Sequence, residues 1–358
     1  MRFVLFLMLV HLSLFLVCQE KKPKNGTWVT LPAAVFSPEN GLGLGVGSLR
    51  VFKLNRDDST ARSSQLQAIA LYTTENQFLL SPRYLLFTRG ERYFLSGRVQ
   101  IFKFPEFYYG IGNETPKSNE ELVEYNYIGY ENRVLRQMIP GFFSGLEFRY
   151  YHRFNFDLVE GGLLERTRVP GYNGSKVAGL GPLFLWDRRD NIANAFEGHY
   201  VLLAAYFYGK FLGGRFNFTN YQVDIRKYFR LLKDKEQVLA FQFLGNFIQG
   251  VAPFRQLSAL GGSRMMRGYY LGRFRDQHLL ATQVEYRTPV WWRIGAVGFA
   301  GVGNVFNEVA DVALRNLRYS VGGGLRFSVD REERVNIRFD LGIGKGTTGF
   351  YFNVAEAF

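Results

Sequence analysis

The sequence predicts an all-β fold, a sixteen-stranded antiparallel transmembrane β-barrel of the outer membrane. Three observations lead there. Phe, Tyr and Gly are abundant, at 35, 21 and 39 of 358 residues. That composition suits strands with tight packing and short turns, whereas helical bundles favour Ala, Leu, Glu and Lys. Apolar and polar residues alternate over segments that often exceed ten residues, long for a soluble sandwich and suited to a tilted membrane strand. After residue 18 no apolar run is long enough for a transmembrane helix. Mean hydropathy is −0.10, which argues against a polytopic helical membrane protein. With 47% hydrophobic and 21% charged residues, the chain has the composition of a folded protein.

The first residues bear on the compartment. Met1-Arg2 is followed by a run of Leu, Phe, Val and Met from Phe3 to Val17, broken by His11 and Ser13. Cys18-Gln19 and polar Glu20 to Lys24 come next. The pattern is that of a secretory signal peptide over 1–18, with 19–358 forming the barrel. The run is short for a membrane anchor and contains His11. Cys18 is the sole cysteine, so cleavage after it leaves neither a disulfide nor a thiol for catalysis. Acylation of Cys18 is the alternative, against which the bulky Val17 argues. The net charge is +13, or +12 without Arg2. In an exported chain such scattered bases face anionic lipid, lipopolysaccharide or an acidic partner rather than nucleic acid.

Sixteen strands are expected at 27–37, 41–54, 63–74, 77–88, 91–105, 122–136, 141–155, 175–187, 196–210, 215–230, 236–249, 277–289, 292–304, 317–329, 334–344 and 348–358. The second opens on Gly41-Leu-Gly-Leu-Gly-Val-Gly47, which lacks the spacing and following helix of a dinucleotide loop and reads as a glycine-rich strand. In the tenth, Tyr221, Val223 and Ile225 oppose Asn220, Gln222, Asp224 and Arg226. In the twelfth, Leu280, Val284 and Tyr286 oppose Gln283, Glu285 and Arg287. In the fifteenth, Val335, Ile337, Phe339, Leu341 and Ile343 oppose Asn336, Arg338, Asp340, Gly342 and Gly344. A barrel turns the apolar set to lipid and the polar set to the lumen. The last strand carries Phe350, Phe352 and Val354 in alternation and ends on Phe358, with Glu356 interrupting its apolar face.

An even strand count puts both ends of the chain on the periplasmic side. Short turns at 88–91, 231–236 and 330–334, with a longer one at 188–195, fall on that side. Long loops at 106–121, 156–174, 250–276 and 305–316 fall on the other. No second domain, internal repeat or low-complexity segment is visible. The loop 250–276 carries five Arg against one Asp and is not polar in the manner of a solvated loop. Its length points to function, either on the surface against lipopolysaccharide or folded back into the lumen. Other candidates fall away. His152, His199 and His278 have no metal spacing, Gly342 to Thr347 is not a phosphate loop, and Asp187 with Asp190 reads as a polar turn. No Ser/His pair shares a strand face in the way a barrel hydrolase needs. Neither catalysis, metal nor organic cofactor is expected.

Met266-Arg267-Gly268-Tyr269 resembles the Arg-Gly-aromatic tip of the long loop in the BamA/TamA family of outer-membrane assembly barrels, also called the bacterial surface antigen family. Leu260-Gly261-Gly262, Glu285-Tyr286-Arg287-Thr288-Pro289, Asp187-Arg188-Arg189-Asp190-Asn191, Ser37-Pro38-Glu39-Asn40-Gly41 and Arg338-Phe339-Asp340 are also similar to that family. The resemblance spans essentially the whole chain after the leader. It implies that Arg267 ion-pairs with an acid on the inner wall, here Glu285, that Gly268 lets the backbone approach the wall, and that Tyr269 packs below. Two departures stand out. The family's aromatic-x-Asp-x-Gly pattern on strand thirteen is here Phe299-Ala300-Gly301-Val302-Gly303, with glycine at the acidic position, so Asp340 becomes the candidate second acid. Only about eight residues separate the leader from the first strand, so a member lacking POTRA domains is expected.

The resemblance further implies assistance in inserting or translocating outer-membrane proteins. A weakly paired seam between 27–37 and 348–358, with Phe352 and Phe358 on its last strand, would template client strands. The partners implied are outer-membrane lipid and lipopolysaccharide, with unfolded barrel clients or an accessory periplasmic or surface protein. Two other readings of the residues stay open: a passive or anion-favouring pore, and a barrel scaffold for a surface partner.

Overall fold

The computed structural model describes residues 26–37, 41–58, 60–232, 235–311 and 314–358. The leader expected over 1–18, Cys18, residues 38–40 of the Ser37–Gly41 motif, and residues 233–234 of the turn expected at 231–236 lie outside them. The barrel strands are β1 (Thr27–Ser37), β2 (Gly41–Phe52), β3 (Ser64–Thr73), β4 (Phe78–Leu80 continued by Arg83–Phe87), β5 (Tyr93–Tyr108), β6 (Glu121–Ile139), β7 (Phe142–Asp157) and β8 (Ser175–Asp187). They continue with β9 (Gly198–Tyr208), β10 (Phe218–Leu232), β11 (Lys235–Gly250), β12 (His278–Trp291), β13 (Ile294–Phe306), β14 (Arg318–Asp330), β15 (Val335–Gly344) and β16 (Thr347–Val354). Each pairs antiparallel with the next, from β1–β2 through to β15–β16. Pro82, which has no N–H to donate, interrupts β4. Ser81 keeps the ladder through Ile69, and the Pro82 carbonyl accepts from Val99.

The period of two is consistent with either a sandwich or a barrel, and burial distinguishes them. On β12 the polar Gln283, Glu285 and Arg287 are buried, while Tyr286 is exposed. On β15 Arg338 and Asp340 are buried, while Leu341 and Ile343 are exposed. Polar groups inside and large apolar groups outside is the reverse of a soluble domain and matches a wall that faces lipid. The wall is uneven in height. β6 has 19 residues, β1 has 11, and β16 has 8.

The final strand departs from expectation. It ends at Val354. Ala355 then takes a positive φ of 66°, and the residues beyond it enter the barrel. Phe358 is buried against Ala195, Phe196, Tyr228, Val238 and Ala240. The expected strand 348–358 is therefore too long, and Phe358 is not a seam residue, whereas Phe352 stands exposed on β16. The reason is Glu356. Phe350, Phe352 and Val354 share the outer face, so a continued strand would aim the Glu356 carboxylate at lipid, a costly position for a charge. Turned inward, it accepts from Arg326 Nε at 2.7 Å and from Asn336 Nδ2 at 2.9 Å.

Connections are tied to one another at both ends of the barrel. At the short-turn end, Arg62 pairs with Glu91 and with Asp187, each at 2.9 Å, and Asp187 also holds Arg189. At the other end a hairpin inside the long loop, Ser258–Leu260 with Phe274–Asp276, is tied to the 109–120 loop. Gly112 N donates to Arg275 O at 2.7 Å, and Arg273 donates to Thr115.

Candidate functional site

Arg267, at the tip of the long loop, is fully buried inside the barrel. Its Nη2 lies 2.5 Å from Glu285 Oε2 on β12, and its Nη1 lies 2.7 Å from Asp340 Oδ2 on β15. One guanidinium fork thus spans two strands that are not neighbours in the sheet. The same guanidinium lies 3.5 Å from the ring centroid of Phe299 on β13, a cation–π contact on one of the two strands between them. The four-residue motif that carries the family resemblance is therefore seated on three strands, with both candidate acids in contact.

The backbone follows the side chain. Gly268 has φ +112°, and a Cβ there would lie 2.7 Å from Gly344 N and Ile343 C. Only glycine fits so close to the wall at that angle. Gly342 shows the same closeness from the wall side, where a Cβ would lie 2.4 Å from Arg267 C. Gly268 N donates to Tyr351 Oη at 2.9 Å, and Ser320 Oγ donates to Arg267 O. The Tyr269 hydroxyl donates to Tyr319 O at 3.0 Å and accepts from Lys345 N at 2.8 Å. The tip is thereby fastened to β14, β15 and β16. Gly301, where an acid was missing, faces Met266, whose Sδ would lie 3.2 Å from a Cβ at that position.

Sequence reasoning identified three members of a larger network. Arg287 Nε lies 2.7 Å from Glu285 Oε1. Arg326 Nη1 lies 2.6 Å from Asp340 Oδ1 while its Nε holds Glu356. Arg338 Nη1 lies 2.7 Å from Asp340 Oδ2, and its Nη2 donates to Ser263 O at 2.8 Å. Arg287 also donates to Asn194 Oδ1 at 3.2 Å and to Phe358 O at 3.1 Å. Four arginines and three carboxylates therefore run from the loop tip to the inward-turned residues 355–358. The signal for Arg287 and Arg338 was present: each stands two residues from its acid on the same strand face. Arg326 and Glu356 carried no such local mark.

The Omp85 superfamily domain matches residues 143–358, from β7 to the end of the chain, and this region contains every residue of the network. The chain belongs to the Omp85 superfamily. Similar solved structures include BamA from Haemophilus ducreyi lacking POTRA domains 1–3, at 12% identity and a TM-score of 0.58, over 92% of this chain and 69% of that one. CdiB from Acinetobacter baumannii matches at 12% identity and a TM-score of 0.57, over 93% of this chain and 60% of that one. At such identity the likeness is one of fold. No curated protein matches the chain. Omp85 barrels reside in the bacterial outer membrane and form a non-enzymatic assembly and transport family. The sixteen-stranded antiparallel sheet described above is an Omp85 barrel.

Proposed function

We propose that this Omp85 barrel assists the insertion or translocation of outer-membrane proteins at a seam between β1 and β16. The observation that carries the reading is the ladder pattern. Every consecutive pair from β1 to β16 is hydrogen-bonded, but among the described residues no ladder joins β16 back to β1. An unpaired strand edge is a template for another strand. The inward turn after Val354 shortens the β16 edge further. A strand of 8 residues falls below the roughly 9–11 that cross a bilayer core, so lipid beside the seam would thin. The loop tip, fastened to β14, β15 and β16, would keep the wall next to the seam rigid while the edge exchanges partners.

The test is insertion into liposomes. Heat-modifiable folding of an unrelated barrel is followed with this protein present, with its Arg267→Ala variant, and with an ordinary porin as control. Faster folding with the unmutated protein alone supports the reading. Folding no faster than with the porin overturns it, and single-channel conductance would then test the pore.

A further inference from the structure

The register of the wall opposite the clamp places two like charges face to face. Arg83 on β4 pairs in register with Arg98 on β5, and Arg98 in turn with Glu131 on β6. Like charges directly opposed across a ladder destabilise a sheet unless something neutralises them. A second opposed pair, Arg326 and Arg338, is neutralised, because Asp340 and Glu356 bind it. The first pair is neutralised only on the Arg98 side. Glu131 accepts from Arg98 at 2.8 Å and from Tyr151 Oη at 2.7 Å. Arg83 has no hydrogen-bond or ion-pair partner among the described residues. A third base comes from the loop. Arg264, three residues before the clamp arginine, is anchored through its carbonyl by Gln283 Nε2 at 2.8 Å. Arg264 is an exposed residue of the loop with no hydrogen-bond or ion-pair partner for its side chain among the described residues, and Arg83, Arg226, Arg98 and Arg338 are the like charges that act on it. Arg226 and Arg338 have their own acids in Asp224 and Asp340. Three guanidiniums with one shared carboxylate leave two positive charges in a solvent-reached part of the lumen.

We infer that Arg83, Arg98 and Arg264 form a lumen site for a phosphate-type dianion, supplied as inorganic phosphate or as the phosphomonoester of a lipid headgroup. The charge matches, the bases come from two strands and the loop, and guanidinium forks suit tetrahedral oxyanions. Occupied, the site would hold the long loop to the β4–β5 wall, on the side of the barrel away from the clamp.

The experiment is calorimetric titration of the folded protein in phosphate-free, non-ionic detergent, with inorganic phosphate and with glycerol 3-phosphate. Saturable binding is expected in the unmutated protein. It should weaken about tenfold or more in Arg83→Gln and in Arg264→Gln, as the loss of one charge-assisted bond implies. Arg50→Gln, which removes a base stacked on Trp28 and Phe52, should leave it unchanged. Binding of both ligands places lipid headgroups among the site's occupants; binding of phosphate alone restricts it to the free ion. Without phosphate, Arg83→Gln should melt no lower than the unmutated protein, because it relieves a like-charge pair, and added phosphate should raise the melting temperature of the unmutated protein only. If Arg83→Gln does not fold, Arg264→Gln, on the loop, carries the test. Absence of saturable phosphate binding, or binding that survives both substitutions, overturns the assignment.

Discussion

Replacing Arg267 with alanine removes two ion pairs and a ring contact from a site closed to solvent. Counted singly, two charge-assisted bonds at about 1.5–3 kcal/mol each and a desolvated cation–π contact of about 2 kcal/mol give a gross loss of about 5–8 kcal/mol. The network reduces that figure. Glu285 keeps Arg287, and Asp340 keeps Arg326 and Arg338, so no carboxylate is stranded. The substitution also leaves three arginines facing three carboxylates, which balances the charge. The expected cost is therefore about 3 kcal/mol, the low end for breaking a buried pair. Glu285→Gln acts in the opposite direction. It leaves four arginines facing two carboxylates and should cost about 5 kcal/mol. The assay is denaturant unfolding in detergent micelles, with tryptic cleavage at Arg264 and Arg273 reporting release of the loop. Arg267→Ala costing as much as Glu285→Gln, or leaving the loop fully protected, would refute the network reasoning.

Other outcomes follow from the same geometry. Gly268→Ala should undock the loop tip, since its Cβ would lie 2.7 Å from backbone atoms of β15; tryptic cleavage at Arg264 should rise as in Arg267→Ala. Phe358→Ala should lower stability by about 3–5 kcal/mol, read from denaturant unfolding, the usual cost of emptying a buried aromatic site. Glu356→Gln should release residues 355–358, read as faster hydrogen exchange of their backbone amides, because Arg326 and Asn336 lose the carboxylate they hold. In the 53–63 turn, the Asp58 carboxyl is held below its ordinary range, first by the Gly90 amide and then by the hydroxyl and amide of Thr60. A depressed folded value gives a contribution that is complete above the unfolded value of about 3.9 and is lost as pH falls through the folded one. The melting-temperature gap between the unmutated protein and Asp58→Asn should thus be constant from pH 5 to 8 and narrow below pH 4.

Most strands could be read from one residue to the next. The alternation around Ile225, Tyr286 and Ile343 marks strands whose outer faces the structure leaves exposed. Arg267 and its partner Glu285 were found through the family resemblance, and the alternation along β12 agreed by putting Glu285 on the polar face. Asp340 was a fallback argued from Gly301, and the structure places it directly on the guanidinium. Phe358 misled because a terminal aromatic after alternating apolar residues continues the pattern. The decisive quantity was the energy of Glu356 at the lipid face against its pairing with Arg326, which no periodicity contains.

The sequence by itself determined an all-β chain, the number of barrel strands, which face of each strand is polar, and which loop carries the unusual charge. Those are local properties, set by a side-chain period of two and by turn residues. The tertiary structure decided which polar residues meet. Register across the sheet put Arg83 opposite Arg98, the path of the loop put Arg267 between Glu285 and Asp340, and the turn after Val354 put Glu356 on Arg326. Each of these contacts joins segments from different parts of the chain, and its energy exists only once the barrel wall brings them to the same depth in the lumen.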